Sequence, residues 1–286
     1  MKFSLDHIGI LVPDLVRASA LFESLGFRLT RRAEHQSRGP DGVMKSAGSA
    51  QRSIMFGEGY IELQALDEEG RRSHLLAAAA RRYHGIHIAA LGTDDAEAAH
   101  RVIGGNGVAV SDVLDWSRPI DEAGARGEAR FRFFTASYGA EDEAFLCWVE
   151  HQTPELLRPP GLTEHPNGAV ALTGFVIAAE HGVAALARRY QRFGGRIASG
   201  GDMRASIEFK PGGIEILSRT ALPPPVAAAR WPAPAWIAAM NLQFADLGDF
   251  RLRCEKTGIS VVKTGGGLLV DLTGEAGCWM MARQGS

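Results

Sequence analysis

The sequence has 286 residues, of which 45% are apolar and 22% charged, enough of both for a buried core and a hydrated surface. At about 150 residues per domain, this length predicts two domains, and the composition excludes disordered, collagen-like and coiled-coil proteins. With 31 Lys and Arg against 33 Asp and Glu, the net charge of −2 gives no overall attraction to nucleic acid or an anionic membrane. We therefore expect the partner to be a small molecule or another protein, and the chain to be a monomer or a homodimer.

The sequence carries no recognisable targeting or membrane-spanning pattern. Its longest apolar stretch, 169–179, is far shorter than the roughly 20 residues that cross a bilayer, and no basic and apolar leader opens the chain. The three cysteines form no Cys-x-x-Cys pair, which is typical of buried thiols in a reducing compartment. We expect a cytoplasmic protein.

One local pattern recurs four times along the chain: an apolar strand, a polar residue that starts a helix, an amphipathic helix, a glycine and a second strand. A short polar side chain satisfies free N–H groups at a helix start, and glycine adopts the left-handed conformation that ends a helix. In the order strand, helix, strand, the predicted segments are 5–12, 15–25 and 27–30; 86–91, 96–103 and 108–110; 172–179, 182–193 and 196–198; 240–245, 247–256 and 259–262.

Further alternating strands follow each helix, so the repeated unit is βαβββ. The additional strands are predicted at 53–56 and 60–66, 129–135 and 144–152, 205–209 and 214–218, and 268–272 and 278–282. A proline-rich connector at 156–168 lies between the second and third units. The sequence therefore predicts an α+β fold with an N-terminal domain at 1–155 and a C-terminal domain at 169–286, each built from two units.

Histidine and glutamate occupy equivalent places in the first two units. Because side chains alternate along a strand, His7 and Ile8 point to different faces of the first strand. His87 occupies the same position as His7 on the first strand of the second unit. Glu62 and Glu150 lie on the last strands of the same units. Histidine is only 9 of the 286 residues, so this joint pattern predicts a shared cavity with two imidazoles and two carboxylates. Such donors suit Zn, Ni, Fe, Co or Mn.

The sequence resembles the vicinal oxygen chelate superfamily, the group of glyoxalase, bleomycin-resistance and extradiol dioxygenase proteins. The residues that carry the resemblance are Leu5-Asp6-His7-Ile8-Gly9-Ile10, Gly59-Tyr60-Ile61-Glu62-Leu63 and Gly85-Ile86-His87-Ile88-Ala89. Gly48 to Met55, Thr153-Pro154-Glu155 and His165-Pro166-Asn167-Gly168 resemble its glyoxalase-like branch. The resemblance implies that βαβββ units pair into open half-barrels, and that His7, Glu62, His87 and Glu150 are the metal ligands.

The resemblance leaves three functions open. An isomerase or lyase of the glyoxalase I type would use Zn or Ni, with Glu62 or Glu150 moving a proton next to a carbonyl. An extradiol dioxygenase would use Fe or Mn on His7, His87 and Glu150. A non-catalytic protein of the bleomycin-resistance type would hold its ligand in an aromatic cavity without metal, for which Tyr60, Trp148 and Trp116 are available.

Other positions complete the prediction. Arg52 and Arg132 are candidates to bind a substrate carboxylate, and Tyr60 and Trp148 are further candidates to contact the substrate. The alanine run 77–80 is expected to be an exposed connector helix. In the C-terminal half only Glu215 matches a ligand position, so we expect a metal-free structural partner there.

Overall fold

The computed structural model describes residues 1–38, 44–139 and 143–285, and within them sixteen strands join one sheet. The first half contains β1 (Ser4–Leu11), α1 (Leu15–Ser24), β2 (Ala33–Arg38), β3 (Met44–Met55), β4 (Tyr60–Leu66), α2 (Gly70–Ser73), α3 (Ala77–Arg82), β5 (Gly85–Gly92), α4 (Ala96–Gly105), β6 (Leu114–Glu122), β7 (Ala125–Thr135) and β8 (Phe145–His151). The second half contains α5 (Pro160–Thr163), β9 (Ala169–Ala179), α6 (Val183–Arg192), β10 (Arg196–Ser199), β11 (Arg204–Glu208), β12 (Gly213–Ser218), α7 (Pro224–Ala228), β13 (Ala235–Phe244), α8 (Leu247–Lys256), β14 (Val261–Thr264), β15 (Gly267–Asp271) and β16 (Trp279–Gln284). The predicted α+β class is confirmed.

The helices α1, α4 and α8 begin where an aspartate caps them, whereas α6 begins after Gly182 without a side-chain cap. The Asp14 carboxylate accepts hydrogen bonds from the backbone N–H groups of Val16 and Arg17, and Asp95 accepts one from Ala98. Asp246 caps α8 in the same way. These caps satisfy N–H groups that have no partner inside the helix, so the helices start at the predicted residues.

The strands follow one order in each half. In the first half it is β2-β3-β4-β1-β5-β8-β7-β6, and in the second half it is β10-β11-β12-β9-β13-β16-β15-β14. The first and fourth strands of each successive group of four, such as β1 and β4, pair in parallel, whereas β1 and β5 pair in antiparallel fashion. A single pair, Ile237 with Ile86, connects the two halves of the sheet through β13 and β5.

The two faces of the first eight strands differ. One face carries Ile8, Ile10 and Ile61 in the main hydrophobic core, against which α1 and α4 pack. We call the opposite side the open face. The segment around α3 crosses it, because Leu76 and Ala79 pack against Leu11 and Ile88. The expectation of an exposed connector helix at 77–80 is therefore wrong: Ala79 is 1% exposed and covers the middle of the open face.

The connector 156–168 is packed against the first half. His165 Nε2 donates to the carbonyl oxygen of Met55 at 2.9 Å, and its Nδ1 accepts from the backbone N–H of Arg28 at 3.0 Å. The Asn167 amide donates to the carbonyl oxygen of Leu25 at 3.0 Å. Cys147, Cys254 and Cys278 are buried and unbridged. No helix among the described residues has the length and apolar character needed to cross a membrane.

Candidate functional site

A β-bulge in β1 places two consecutive polar residues on the open face. Leu5 lies opposite Leu91 on β5 and His7 lies opposite Ala90, so Asp6 is an extra residue between them. Leu5 and Ile8 both belong to the main core, and both residues between them turn to the open face. Bulges of this kind are common next to active sites because they re-aim a side chain.

Asp6 bridges two imidazoles. Its carboxylate lies 2.7 Å from Nδ1 of His7 and 2.8 Å from Nε2 of His151, which is the last residue of β8. Burial alone would raise the pKa of Asp6, but the hydrogen bonds and charges of His151 and His7 outweigh it and hold that pKa well below its usual range. Asp6 is therefore ionised and accepts a hydrogen bond from each ring. In its neutral form His7 then carries its proton on Nδ1 and presents the lone pair of Nε2.

Tyr60 connects the group of Asp6, His7 and His151 to a second polar cluster, which contains Glu62. Its ring stacks on His7 with centroids 4.2 Å apart. Burial raises the pKa of the Tyr60 hydroxyl well above its usual value, and the negative charges of Asp6 and Glu62 raise it further. The hydroxyl is therefore protonated at neutral pH.

Glu62 lies on β4 opposite Gly9 of β1, at the centre of the second cluster. In the amide orientation that satisfies both groups, Gln51 donates to the Glu62 carboxylate oxygens at 2.6 and 3.2 Å. His35 Nε2 lies 3.8 Å from Glu62, and its Nδ1 is 2.8 Å from the hydroxyl of Ser49. The carboxylate is held by neighbours on β2 and β3.

His87 does not join these residues. A second bulge, in β5, makes His87 the extra residue, because Gly9 lies opposite Ile88 and Ile10 lies opposite Ile86. The Ile88 side chain covers Gly9, where a Cβ atom would come within 2.5 Å of it. His87 is fully buried beside Tyr83, and its Nε2 donates to the Tyr83 carbonyl oxygen at 2.9 Å.

Glu150 lies on the other face of the sheet. It shares a face with Trp148, as the alternation predicts, but Trp148 is completely buried in the main core and stacks on Phe134. The Glu150 carboxylate accepts a hydrogen bond from the backbone N–H of Ala96 at 2.8 Å, at the start of α4. A negative charge is favourable there because the helix N-terminus is partially positive.

The predicted ligand quartet is thus not assembled. His7 and Glu62 lie on the open face, whereas His87 and Glu150 are engaged elsewhere. Within residues 1–38, 44–139 and 143–285, no group of three or more His, Cys, Asp or Glu side chains is arranged to hold a metal ion. The four residues do not suit a common metal centre.

Of the four predicted substrate-binding residues, only Tyr60 lies on the open face. Arg52 pairs with Glu23 at 2.8 Å and donates to the Thr30 carbonyl, on the helix side of the sheet. Arg132 pairs with Glu97 on α4 and with Asp115. Trp148 donates its indole N–H to the Phe193 carbonyl inside the core. The strands that carry these three residues turn them towards the helices and away from the open face.

Sequence reasoning missed Asp6 and His151. A bulge gives no signal in the alternation pattern, so the sequence does not indicate that Asp6 faces the same side as His7. The position of His151 is predictable, because a Trp in a strand normally faces the core. If Trp148 and Glu150 face the helices, alternation puts His151 on the open face.

A cavity of about 400 Å³ reaches this group from the ends of the strands. Asp6, Glu150 and His151 line it, as does Arg158, whose guanidinium lies 4.0 Å from the Asp6 carboxylate. A small molecule at this rim has access to the Asp6–His151 pair.

The chain matches one protein family over more than half of its length. Residues 5–194 match the model of the glyoxalase-like domain, whereas no curated protein shows significant sequence similarity. A hypothetical protein from Staphylococcus aureus has the same fold with a TM-score of 0.67 and 10% identity, covering 99% of both chains.

Two enzymes of known name also share the fold. A mutant of 4-hydroxymandelate synthase from Streptomyces coelicolor gives a TM-score of 0.62 at 15% identity, over 99% of this chain and 92% of that one. Homoprotocatechuate 2,3-dioxygenase from Arthrobacter globiformis gives 0.54 at 13% identity, over 99% and 80%. The family model spans more than half of the sequence and the fold agrees over its whole length, so the chain belongs to the glyoxalase-like domain family of the vicinal oxygen chelate superfamily.

Proposed function

We propose that the protein is an enzyme of the isomerase or lyase type that moves a proton on a small carbonyl compound bound at the open face. The observation that carries the proposal is the 2.7 Å hydrogen bond between the buried Asp6 carboxylate and Nδ1 of His7. A carboxylate that fixes one nitrogen of an imidazole orients the other as a general base.

His7 performs the transfer in this proposal. Its Nε2 lone pair takes a proton from the carbon next to the substrate carbonyl, and the ionised Asp6 stabilises the imidazolium that forms. In an isomerisation His7 returns a proton, which exchanges with solvent while it is on the imidazolium, to the former carbonyl carbon, and the hydroxyl proton of the neighbouring carbon passes to the former carbonyl oxygen. In an elimination the proton leaves with the departing group. Tyr60 stacks on the imidazole and restricts its rotation, and its protonated hydroxyl is available to donate a hydrogen bond to a developing enolate oxygen.

No step of this proposal uses a metal. The glyoxalase I type of reaction with Zn or Ni was expected to use His7, Glu62, His87 and Glu150 together, and His87 and Glu150 are engaged in the hydrogen bonds described above. The proposal therefore keeps the expected class of reaction and moves the base from Glu62 or Glu150 to His7.

A ring-cleaving dioxygenase with Fe or Mn is the second candidate. It is favoured by one observation, that His7, His151 and Asp6 place two imidazoles and one carboxylate together on the open face. This is the donor set of non-haem iron oxygenases. In this structure the ring nitrogens are hydrogen-bonded to the carboxylate itself, so we rank this function second.

The test follows solvent deuterium uptake into α-hydroxyketones and α-ketoaldehydes, with and without a thiol, by proton NMR in D₂O containing EDTA. We expect exchange with the wild type and a rate at least about 100-fold lower with His7→Asn. Asparagine can keep a hydrogen bond to Asp6, but it has no group at the position of Nε2. The matched control is His181→Asn, at an exposed site in the second half.

Three other results overturn the proposal in different directions. Exchange that appears only with added Zn or Ni indicates a metal-dependent isomerase. Oxygen uptake with a catechol and Fe(II), without exchange, indicates the dioxygenase. Saturable binding without either reaction indicates a sequestering protein, for which Tyr60 and the half-exposed Trp116 are on hand.

We also infer that the chain consists of two paired half-barrels, with the second as a duplicated scaffold. The identical strand order of the two halves supports this inference. The family model ends at residue 194, beyond the inferred boundary at 156–168. The inference therefore depends on the strand order alone.

A further inference from the structure

The second half carries a cavity of its own. It has a volume of about 560 Å³ and lies over β11, β12 and β16, beside the segment that leads into α7. Ligand-binding pockets in proteins have volumes of roughly 300 to 1,000 Å³. The cavity is therefore large enough for an organic molecule and too small for a protein segment of any length.

The charges around this cavity are unequal. Arg204, Lys263 and Arg283 line it, and Glu215 is the only carboxylate among its lining residues. One Glu215 oxygen lies 3.4 Å from the Arg283 guanidinium, which is a long contact for an ion pair. In the part of the chain that the structure describes, Arg204 has no ion-pair partner. The surplus positive charge favours an anion.

One wall of the same cavity is apolar. Leu217 and Met281 come from β12 and β16, and Leu222 with Pro223–Pro225 forms the adjoining side. Successive prolines restrict the backbone, so this side is a rigid surface. An apolar wall next to a cationic wall suits a molecule with a flat apolar body and a negatively charged head.

We propose that this cavity binds a small organic carboxylate. The head group contacts Arg204 and Arg283, and the body lies on Leu217, Met281 and the prolines. Guanidinium groups suit carboxylates because both are planar and can form two parallel hydrogen bonds. Glu215 opposes binding because it competes for Arg283. The site is separate from Asp6 and His7, so the proposal does not depend on the proposed reaction.

The experiment is isothermal titration calorimetry of the full chain with 2-naphthoate, and with the neutral 2-naphthamide as the matched ligand. We expect saturable binding of naphthoate and at least about tenfold weaker binding of the amide, since a charge-assisted hydrogen bond contributes more than one factor of ten. Arg204→Gln with Arg283→Gln should weaken naphthoate binding by at least about tenfold. Glu215→Gln should strengthen it.

Two controls make the result specific. Arg196→Gln removes an arginine that pairs with Glu208 outside the cavity and should leave the affinity unchanged. His7→Asn should also leave it unchanged, which separates this site from the proposed active site. If the double variant does not fold, the test uses two single variants. We expect weaker naphthoate binding with Arg204→Lys and tighter binding with Glu215→Gln.

The proposal is overturned by equal binding of acid and amide, by an affinity that the arginine substitutions do not change, or by weaker binding after Glu215→Gln. The absence of saturable naphthoate binding below about 1 mM also overturns it, because that limit corresponds to only about 4 kcal/mol of binding free energy.

Discussion

Asp6 shows how one extra residue changes the chemistry of a strand. Without the bulge, Asp6 would lie among the core residues, at a high cost for a buried charge. With it, the carboxylate lies between His7 and His151 and is compensated by both rings. The positions of Asp6 and His7 are therefore interdependent. Replacing Asp6 tests the function proposed for His7.

Replacing Asp6 by Asn is expected to lower both activity and stability. The substitution keeps the size of the side chain but removes the charge that accepts from two imidazoles. Exchange should slow by at least about 100-fold, and the free energy of unfolding at pH 7 should fall by about 1–3 kcal/mol. The measurements are the deuterium assay and guanidinium denaturation.

The pH dependence of this loss has a definite sign. The lowered pKa of Asp6 stabilises the folded wild type above about pH 4, and this contribution is lost as the pH falls through the folded value. The stability difference between wild type and Asp6→Asn should therefore shrink only in strong acid. Asp202→Asn, at an exposed aspartate, is the control for the substitution itself. A variant with wild-type exchange rates would remove Asp6 from the proposed mechanism.

At the scale of elements, the sequence was most informative where a single local interaction decides the structure. Asp14, Asp95 and Asp246 cap their helices as predicted. It was least informative about which face of a strand meets the core. On β8 the alternation was right and the choice of face was wrong, because the core position of Trp148 depends on packing against Phe134 and Phe193 from other elements.

The position of α3 was unpredictable for a similar reason. A short alanine-rich helix has no strong apolar stripe, so nothing in its composition indicates that it covers Leu11 and Ile88. Its presence fills the middle of the open face and encloses His87 under Tyr83. The separation of His7 from His87 is therefore a tertiary effect.

Glu150 provides a test at this scale. As a residue that caps α4, it should contribute to stability and not to the reaction. We expect Glu150→Ala to lower the free energy of unfolding by about 1 kcal/mol, as the loss of a helix cap does, without changing the exchange rate. Asp95→Ala, which removes the neighbouring cap of the same helix, should have a similar effect. Loss of exchange in Glu150→Ala with unchanged stability would return Glu150 to the active site.

At the scale of the whole molecule, two buried neutral histidines, His165 and His87, lie at contacts between different parts of the chain. His165 binds the connector to the first half through the Met55 carbonyl. His87 contacts Tyr83, whose ring also contacts Trp236 of β13, the strand that pairs with β5 between the halves. Burial lowers the pKa of each to about 4, and the nearby positive charges of Arg28 and Arg82 act in the same direction. Protonating His165 would also put a proton on Nδ1, which now accepts from Arg28 N–H.

These two residues should make the protein sensitive to mild acid. Above pH 6.5 both are neutral in the folded and unfolded chains, whereas between pH 6.5 and about 4 only the unfolded chain takes up protons, so stability falls with pH. Each shift accounts for about 2 kcal/mol of unfolding free energy lost between pH 7 and pH 5. Guanidinium denaturation at these two pH values should show that His165→Gln, which can keep a donor and an acceptor, removes about half of the combined effect. His181→Gln, at an exposed site, should not change the loss of stability between pH 7 and pH 5. An unchanged pH dependence in His165→Gln would show that His165 does not cause that loss.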